Sequence, residues 1–147
     1  MLTPENDGID HINIYIKAQT ELGKRLSNFT HSSIILKEGR FASVEGYWYW
    51  LQTQDDELKK LTGIAAKNKG RELKKQGKEV WDDMFKIKIA VALLYKVIQD
   101  STLFEMIKQS PNLPLTHYYV FGGKVVKGGS MWVIDIWELI FKLIKEQ

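Results

Sequence analysis

The spacing of apolar and polar residues predicts a chain that begins with short strands. Residues 11–17 alternate and place three isoleucines on one face, which is typical of a half-buried strand. Residues 18–29 follow no single period and indicate a loop with a short helical turn. Residues 33–41 predict two short strand segments around a turn at Glu38-Gly39.

Helical spacing dominates the middle of the chain. Ser43 is a predicted N-cap for a helix that begins SVEGYWYW. Residues 55–76 are rich in lysine and helical in pattern, with interruptions predicted at Gly63 and Gly70. Residues 79–98 predict a helix that starts amphipathic and becomes apolar nearly all round, as expected of a central buried helix.

The last third of the chain predicts two helices and a hairpin. Thr102 and Glu105 have capping-box spacing and open a short helix that stops before SPNLP. The segment THYYVFGGKVV alternates around a Gly-Gly pair, which indicates a hairpin. Residues 131–145 predict a helix with its charges in one narrow stripe and the rest of its surface buried.

No repeat or linker interrupts these elements. We therefore expect one α+β domain, predominantly helical, over residues 11–147, preceded by a flexible N-terminus at residues 1–10. The 147 residues are 44% hydrophobic and 27% charged, which excludes a disordered or collagen-like chain. The absence of cysteine excludes disulfides and thiolate chemistry and is consistent with a cytoplasmic location. The apolar stretches are too short for a membrane span, so we expect no membrane association.

The positive charge is concentrated in one segment. Between Lys59 and Lys78 lie eight basic residues and one acid, a net charge of +7. The other thirteen basic and seventeen acidic residues give −4, so the rest of the chain is mildly acidic. Lys67, Arg71, Lys74, Lys75 and Lys78 fall roughly on one helical side and could follow a nucleic-acid backbone; a solvated helix face explains them equally well.

Glu45 is the first residue with a plausible chemical role. It lies among Tyr47, Trp48, Tyr49 and Trp50. Burial beside aromatic rings raises the pKa of a carboxyl group and suits a general acid, and the rings suit a flat heterocycle. The alternative is a glutamate that only stabilises the positive end of the helix dipole.

Lys96 is the second such residue, because lysine is rarely buried and this one lies in the most apolar predicted helix. A desolvated lysine can hold a phosphate or form a Schiff base with an aldehyde carbon. The alternative is snorkelling of the ammonium group to the surface. Nucleotide-phosphate loops and hydrolase motifs are absent, and the three histidines are far apart in sequence, so we expect no cofactor and no metal site built from these residues. Magnesium bound through a substrate phosphate would leave no sign in the sequence and stays open.

Several segments, taken in order, resemble the NADAR (YbiA-like) superfamily, in particular its short bacteriophage variants. They span residues 11–140, and the most specific are LSNF at 26–29 and SVE-x-Y-W at 43–48. The resemblance implies a YbiA-like fold with short strands near the N-terminus and a C-terminal hairpin. It also implies an N-glycosidic hydrolase that removes ADP-ribose from guanine bases of DNA, as a phage defence against a host ADP-ribosylating toxin. Alternatives are cleavage of small ribosyl-amine intermediates of the riboflavin pathway and a non-catalytic ADP-ribose-binding module.

The resemblance also implies which residues form the site. The acid–base residue would be Glu45, and Lys96 matches the lysine of the family's central helix. The residues implied to bind substrate are Lys17, Lys24, Ser27, Asn28, Phe29, Trp48, Arg71, Trp81, Tyr118, Gly122 and Gly123. Gly122-Gly123 is equally consistent with a plain hairpin turn. Two features depart from the family: Gly46 replaces a usual histidine, and YYVFGG replaces an Asp-x-(Trp/Phe)-Gly segment. The expected partners are the ADP-ribose group on guanine and DNA, preferably single-stranded, with no obligate protein partner.

Overall fold

A computed structural model of the chain describes residues 2–147 as two compact units, one formed by residues 2–27 with Asp100–Gln147 and the other by Asn28–Gln99. The predicted α+β class, predominantly helical, is confirmed. The helices are α1 (Glu21–Leu26), α2 (Val44–Thr53), α3 (Gly63–Lys75), α4 (Phe85–Ile98), α5 (Ser101–Gln109) and α6 (Trp132–Lys145). The strands are β1 (Ile12–Asn13), β2 (Ile34–Leu36), β3 (Gly39–Phe41), β4 (Leu115–Thr116), β5 (Tyr118–Phe121) and β6 (Lys124–Lys127), and 3₁₀ turns form at Pro4–Asn6 and Asp56–Lys60.

The unit Asn28–Gln99 combines one hairpin with three helices. The two predicted strand segments are confirmed as β2 and β3, which pair antiparallel and place Ile34 opposite Phe41. The turn between them falls at Lys37-Glu38 and not at Glu38-Gly39 as predicted. Helix α2 packs on α3, and α4 packs on α2 and β2. The core between these elements includes Phe41, Leu51 and Leu93, none of which is exposed. Burial of such aliphatic and aromatic groups is the main source of stability in a unit of this size.

Helix α2 begins where the sequence predicted. The Ser43 hydroxyl accepts a hydrogen bond from the Gly46 amide at 3.0 Å and donates one to the Leu61 carbonyl at 2.8 Å. The first bond satisfies a backbone donor that the helix leaves free, and the second ties α2 to the segment before α3. Ser43 is fully buried, so these bonds fix the start of α2 in one position.

Helix α3 runs without a break through Gly70, where an interruption was predicted. That prediction was wrong because Gly70 serves helix packing: a Cβ there would lie 2.1 Å from the ring of Tyr49 on α2. At the C-terminus, Gly77 has φ +74°, and the amides of Gly77 and Lys78 donate to the carbonyls of Lys74 and Leu73. This is the hydrogen-bond pattern of a Schellman cap.

Helix α4 starts at Phe85, not at residue 79 as predicted. The Val80 amide donates to the Gln52 carbonyl, and Asp82 accepts from the Met84 amide and from Lys88, so residues 79–84 are held outside the helix. The prediction of a central buried helix was also wrong. One face of α4 is exposed, and its apolar members are Ile87, Val91, Leu94, Tyr95 and Ile98.

The second unit begins with a short parallel pair, β1 with β4. The predicted half-buried strand over 11–17 is limited to two residues, because the Tyr15 amide donates to the Gly23 carbonyl of α1 and leaves the ladder. Asn13 is buried as well, since its side chain bonds both backbone groups of Tyr118, whereas Ile16 is 37% exposed. Asp7, in the N-terminal segment, accepts from the amides of Asn13 and Gln19.

The remaining elements of this unit follow the predicted order. The predicted short helical turn within 18–29 is confirmed as α1. The N-cap of α5 is Asp100, which accepts from the Leu103 amide, so the predicted capping box at Thr102 was wrong. The predicted helix over 131–145 is confirmed as α6, but Leu139 and Leu143 are exposed, contrary to the expected burial outside its charged stripe.

The predicted C-terminal hairpin is also confirmed. Strands β5 and β6 pair antiparallel, and Gly122 and Gly123 connect them with φ of +55° and +77°. Positive φ at both central residues is what a type I′ turn requires. No helix within residues 2–147 is long and apolar enough to cross a membrane.

Candidate active site around Glu45

The central feature of the unit Asn28–Gln99 is the buried carboxyl group of Glu45. It lies in the first turn of α2 and is 9% exposed. Burial raises the pKa of Glu45 to about 7, while the positive charges of Lys67 and Arg71 act in the opposite direction. A carboxyl group with this pKa exchanges its proton near neutral pH, which is what a general acid requires.

Backbone contacts hold Glu45 in place. Its amide donates a 3.0 Å hydrogen bond to the carbonyl of Asn28, which brings the loop at Asn28 against the start of α2. Gly46, the next residue, packs against the 3₁₀ turn: a Cβ there would lie 2.4 Å from the carbonyl oxygen of Leu58. The site therefore has no space for a side chain at position 46.

Two cations of α3 act electrostatically on this carboxyl group. Because Gly70 lets α3 approach Tyr49 closely, Lys67 and Arg71, one turn apart, act electrostatically on Glu45. The ammonium group of Lys67 also lies 5.9 Å from the centre of the Phe29 ring, a cation–π contact. The structure thus brings together Glu45, Arg71 and the Asn28-Phe29 loop, and adds Lys67.

Further aromatic residues lie on α2 and in the segment before α4. Trp48, one turn after Glu45, is partly exposed and meets the ring of Phe85 edge to face, with centroids 4.9 Å apart. Trp81 is 89% exposed, and its indole N–H donates to Asp83 at 2.5 Å. Tyr47 has a structural role, because its hydroxyl donates a hydrogen bond to Glu38 at 2.5 Å. Burial also raises the pKa of this hydroxyl.

Lys96 lies on the buried side of α4. It is 1% exposed, next to Ala92 and Val97, which are fully buried. The snorkelling alternative is therefore wrong, since the ammonium group does not reach the surface. The sequence correctly predicts an unusual lysine here, and its role in catalysis stays a prediction.

The other implied substrate-binding residues lie in the other unit. Lys17 and Lys24 are exposed, Ser27 is buried, and Gly122 and Gly123 form the tip of the β5–β6 hairpin. Around these two glycines the structure leaves open space, so the turn itself accounts for them. Tyr118 is buried, and its hydroxyl lies 2.7 Å from Nε2 of His11, whose Nδ1 lies 2.6 Å from Asp10. Burial raises the pKa of Tyr118 to about 12.

This second unit also contains a hollow of about 250 Å³, whose lining includes Thr20, Leu22, Met106 and Pro111. None of the residues implied by the resemblance lines it. Within residues 2–147, no group of three or more His, Asp or Glu side chains is arranged to hold a metal ion.

Sequence reasoning missed Lys67 as a member of the site. It placed Lys67 and Arg71 on one helical side within the basic segment, but it did not connect Lys67 with Glu45. The structural role of Gly46 was missed too. A glycine inside an amphipathic helix is itself a signal of close backbone approach, and the contact with Leu58 explains it.

The fold of the chain is the α+β arrangement called YbiA-like, so the fold implied by the resemblance is confirmed. A solved structure with this fold is the NMR structure of the E. coli protein YbiA. It matches with a TM-score of 0.64 and 16% sequence identity, over 100% of this chain and 86% of that protein's chain. No protein-family model matches the chain, and no curated protein matches it by sequence.

Proposed function

We propose that the protein is an N-glycosidic hydrolase, with Glu45 as the general acid, that removes ADP-ribose from guanine bases of DNA. The observation that carries the proposal is the buried carboxyl group of Glu45, whose pKa is raised to about 7, beside two cations. The YbiA-like fold supports the choice of reaction, because the superfamily that the sequence resembles cleaves bonds between ribose and an exocyclic amine.

In the proposed reaction, Glu45 donates its proton to the exocyclic nitrogen as the bond from that nitrogen to the anomeric carbon breaks. The departing group leaves as the neutral amine of guanine, and positive charge develops on the ribose. Water adds to the anomeric carbon, and the proton it releases returns to the Glu45 carboxylate. The products are guanine and free ADP-ribose, and this use of a carboxylic acid is the same as in glycoside hydrolysis.

Lys67 and Arg71 are proposed to hold the diphosphate of ADP-ribose. Cations bind phosphate oxygens strongly in a partly buried site, and Arg can do so with two parallel hydrogen bonds. A bound diphosphate would offset the cations' effect on Glu45 and raise its pKa further. Substrate binding would thereby keep the acid protonated.

As an alternative to direct attack by water, Lys96 is proposed to react with the ring-opened sugar. Its amine would add to the C1 carbon of the protonated imine that joins the opened ribose to guanine, and the guanine amine would be expelled as a Schiff base forms on Lys96. Water would then hydrolyse this Schiff base, which releases ADP-ribose and regenerates the lysine. Borohydride reduction traps such an adduct as a stable secondary amine, detected by a mass increase on Lys96. If no adduct forms and Lys96→Arg retains full turnover, water attacks directly and Lys96 has no covalent role.

The remaining residues are proposed to bind the substrate. Asn28 and Phe29 border the carboxyl group, and Trp48 offers a partly exposed ring on which a base could stack. Trp81, an exposed ring of the same unit, is proposed to add a second stacking surface. The substrate contacts implied for Lys17, Lys24, Ser27, Tyr118, Gly122 and Gly123, which belong to the other unit, stay predictions.

DNA is the proposed carrier of the modified base because the basic segment lies in the same unit as Glu45. Excess positive charge suits a polyanion, whereas a small ribosyl-amine intermediate would not require it. We propose that the biological role is protection of phage DNA against a host ADP-ribosylating toxin, in the host cytoplasm.

The test is incubation of the protein with a single-stranded oligonucleotide that carries one ADP-ribosylated guanine. Chromatography with mass spectrometry should show free ADP-ribose and the restored guanine. Glu45→Gln should lower turnover by a factor of about 100 or more, the usual contribution of a general acid. Glu72→Gln is the matched control, because Glu72 is an exposed glutamate of the same unit. Tight binding of ADP-ribose without hydrolysis would indicate the non-catalytic module instead.

A further inference from the structure

The cations of α3 divide into two groups by their partners. Lys69 forms an ion pair with Glu57 at 2.8 Å, and Lys74 forms one with Glu79 at 3.0 Å and also donates to Gln52. The sequence placed Lys74 with the residues that could follow a nucleic acid, but its charge is already balanced. In the described part of the chain, Arg71, Lys75 and Lys78 have no acidic partner within ion-pair distance.

The unbalanced cations fall on one line. Lys67, Arg71 and Lys75 are four residues apart, so they follow one side of α3 at intervals of about 6 Å along its axis. We name these three residues the α3 cation row. Its first two members act on Glu45, and Lys75 lies one turn further away. Lys78 follows directly after the Schellman cap and is exposed.

We propose that the α3 cation row, continued by Lys78, is the path of a nucleic-acid single strand whose modified nucleotide reaches Glu45. The inference rests on the proposed function and adds the residues that contact the phosphates of the polymer. Lys67 and Arg71 hold the nucleotide at the site, while Lys75 and Lys78 contact phosphates of neighbouring nucleotides. Among the cations of α3, pairing of Lys69 and Lys74 with acids leaves this line available to a polyanion, because a cation without an acidic partner can bind a phosphate and so release a counterion of the strand.

The test compares two double variants that remove the same charge. Lys75→Gln/Lys78→Gln removes the outer cations of the path, and Lys69→Gln/Lys74→Gln removes the two paired lysines. Each is assayed on the modified oligonucleotide and on ADP-ribosylated guanosine, which has no neighbouring phosphates. Binding of an unmodified single-stranded oligonucleotide is measured by fluorescence anisotropy at 50 and 200 mM salt, and thermal unfolding confirms that both variants fold.

The outer variant should lose kcat/KM on the oligonucleotide and keep wild-type kcat/KM on the guanosine substrate. Loss of two contacts to a single strand should make the slope of log K against log salt concentration less steep by about 1.4. The ratio of wild-type affinity to outer-variant affinity should therefore be about sevenfold smaller at 200 mM salt than at 50 mM salt. The variant that lacks the paired lysines should stay within about twofold of wild type on both substrates, since exposed ion pairs contribute little.

Two outcomes overturn the inference. Equal losses in both variants would mean that net charge alone attracts the polymer, and no loss in the outer variant would mean that the strand lies elsewhere. If the wild-type protein hydrolyses neither substrate, the proposed function fails. The anisotropy comparison still decides whether the α3 cation row binds single strands.

Discussion

Gly70 of α3 lies against the ring of Tyr49 of α2, and a Cβ at this glycine would come within 2.1 Å of the ring. This contact sets how closely α3 approaches the helix that carries Glu45. It therefore determines where Lys67 and Arg71 stand relative to the carboxyl group.

The first prediction concerns this contact. Glycine-to-alanine substitution inside a helix normally stabilises a protein by up to about 1 kcal/mol. Here Gly70→Ala should instead lower the free energy of unfolding by about 1–3 kcal/mol, because the methyl group would force the helices apart. Chemical denaturation measures the change. Gly129→Ala is the control, since a Cβ there meets nothing within 4 Å; equal effects of the two changes would show that helix packing is not the cause.

The second prediction concerns the pH dependence of activity. With the pKa of Glu45 near 7, log kcat/KM should fall with slope −1 as pH rises above 7, because the carboxyl group loses the proton that it donates. Lys67→Gln removes a charge that lowers this pKa, so the falling limb should move to higher pH. The pH profiles of wild type and variant test this. If the falling limb of the variant stays at the wild-type pH, a group other than Glu45 causes it.

The third prediction concerns stability. The pKa of Glu45 rises from 4.5 in the unfolded chain to about 7 in the folded protein, so the folded state binds this proton more tightly. The stabilisation that this proton gives the folded state is complete below pH 4.5 and is lost as pH rises to 7. The loss lowers the free energy of unfolding by about 3 kcal/mol. Glu45→Gln has no such proton. The unfolding free energy of this variant, relative to wild type, should therefore rise by about that amount from pH 4.5 to pH 8, as measured by urea denaturation at each pH.

A fourth prediction concerns the start of α2. Ser43→Ala removes the cap on the Gly46 amide and leaves the Leu61 carbonyl without its donor. Loss of a cap and of a buried hydrogen bond should together lower the unfolding free energy by about 2–3 kcal/mol. Ser101→Ala, at an exposed position in the first turn of α5, should change it by less than about 0.5 kcal/mol. Similar values for the two variants would contradict the role assigned to Ser43.

The elements that sequence predicts well in this protein are those with a strong local signal. Ser43 caps α2 as expected, and Gly122-Gly123 forms the hairpin turn, because both depend on neighbouring residues only. The boundary of α4 failed because tertiary contacts at Val80 and Asp82 override a helical pattern. For Glu45 and Lys96, the sequence singled out both residues but left burial open against a dipole role and snorkelling, and the structure shows both to be buried. The approach of Lys67 to Glu45 was not predicted, since it depends on how two helices pack at Gly70.

Gly46 has an evolutionary consequence. The resembled family usually has a histidine after the glutamate, but here the carbonyl of Leu58 occupies the space that any side chain at this position would need. A single codon change cannot introduce the histidine without displacing the 3₁₀ turn at Asp56–Lys60. In evolution, a side chain can therefore enter this position only together with a compensating change in the 3₁₀ turn.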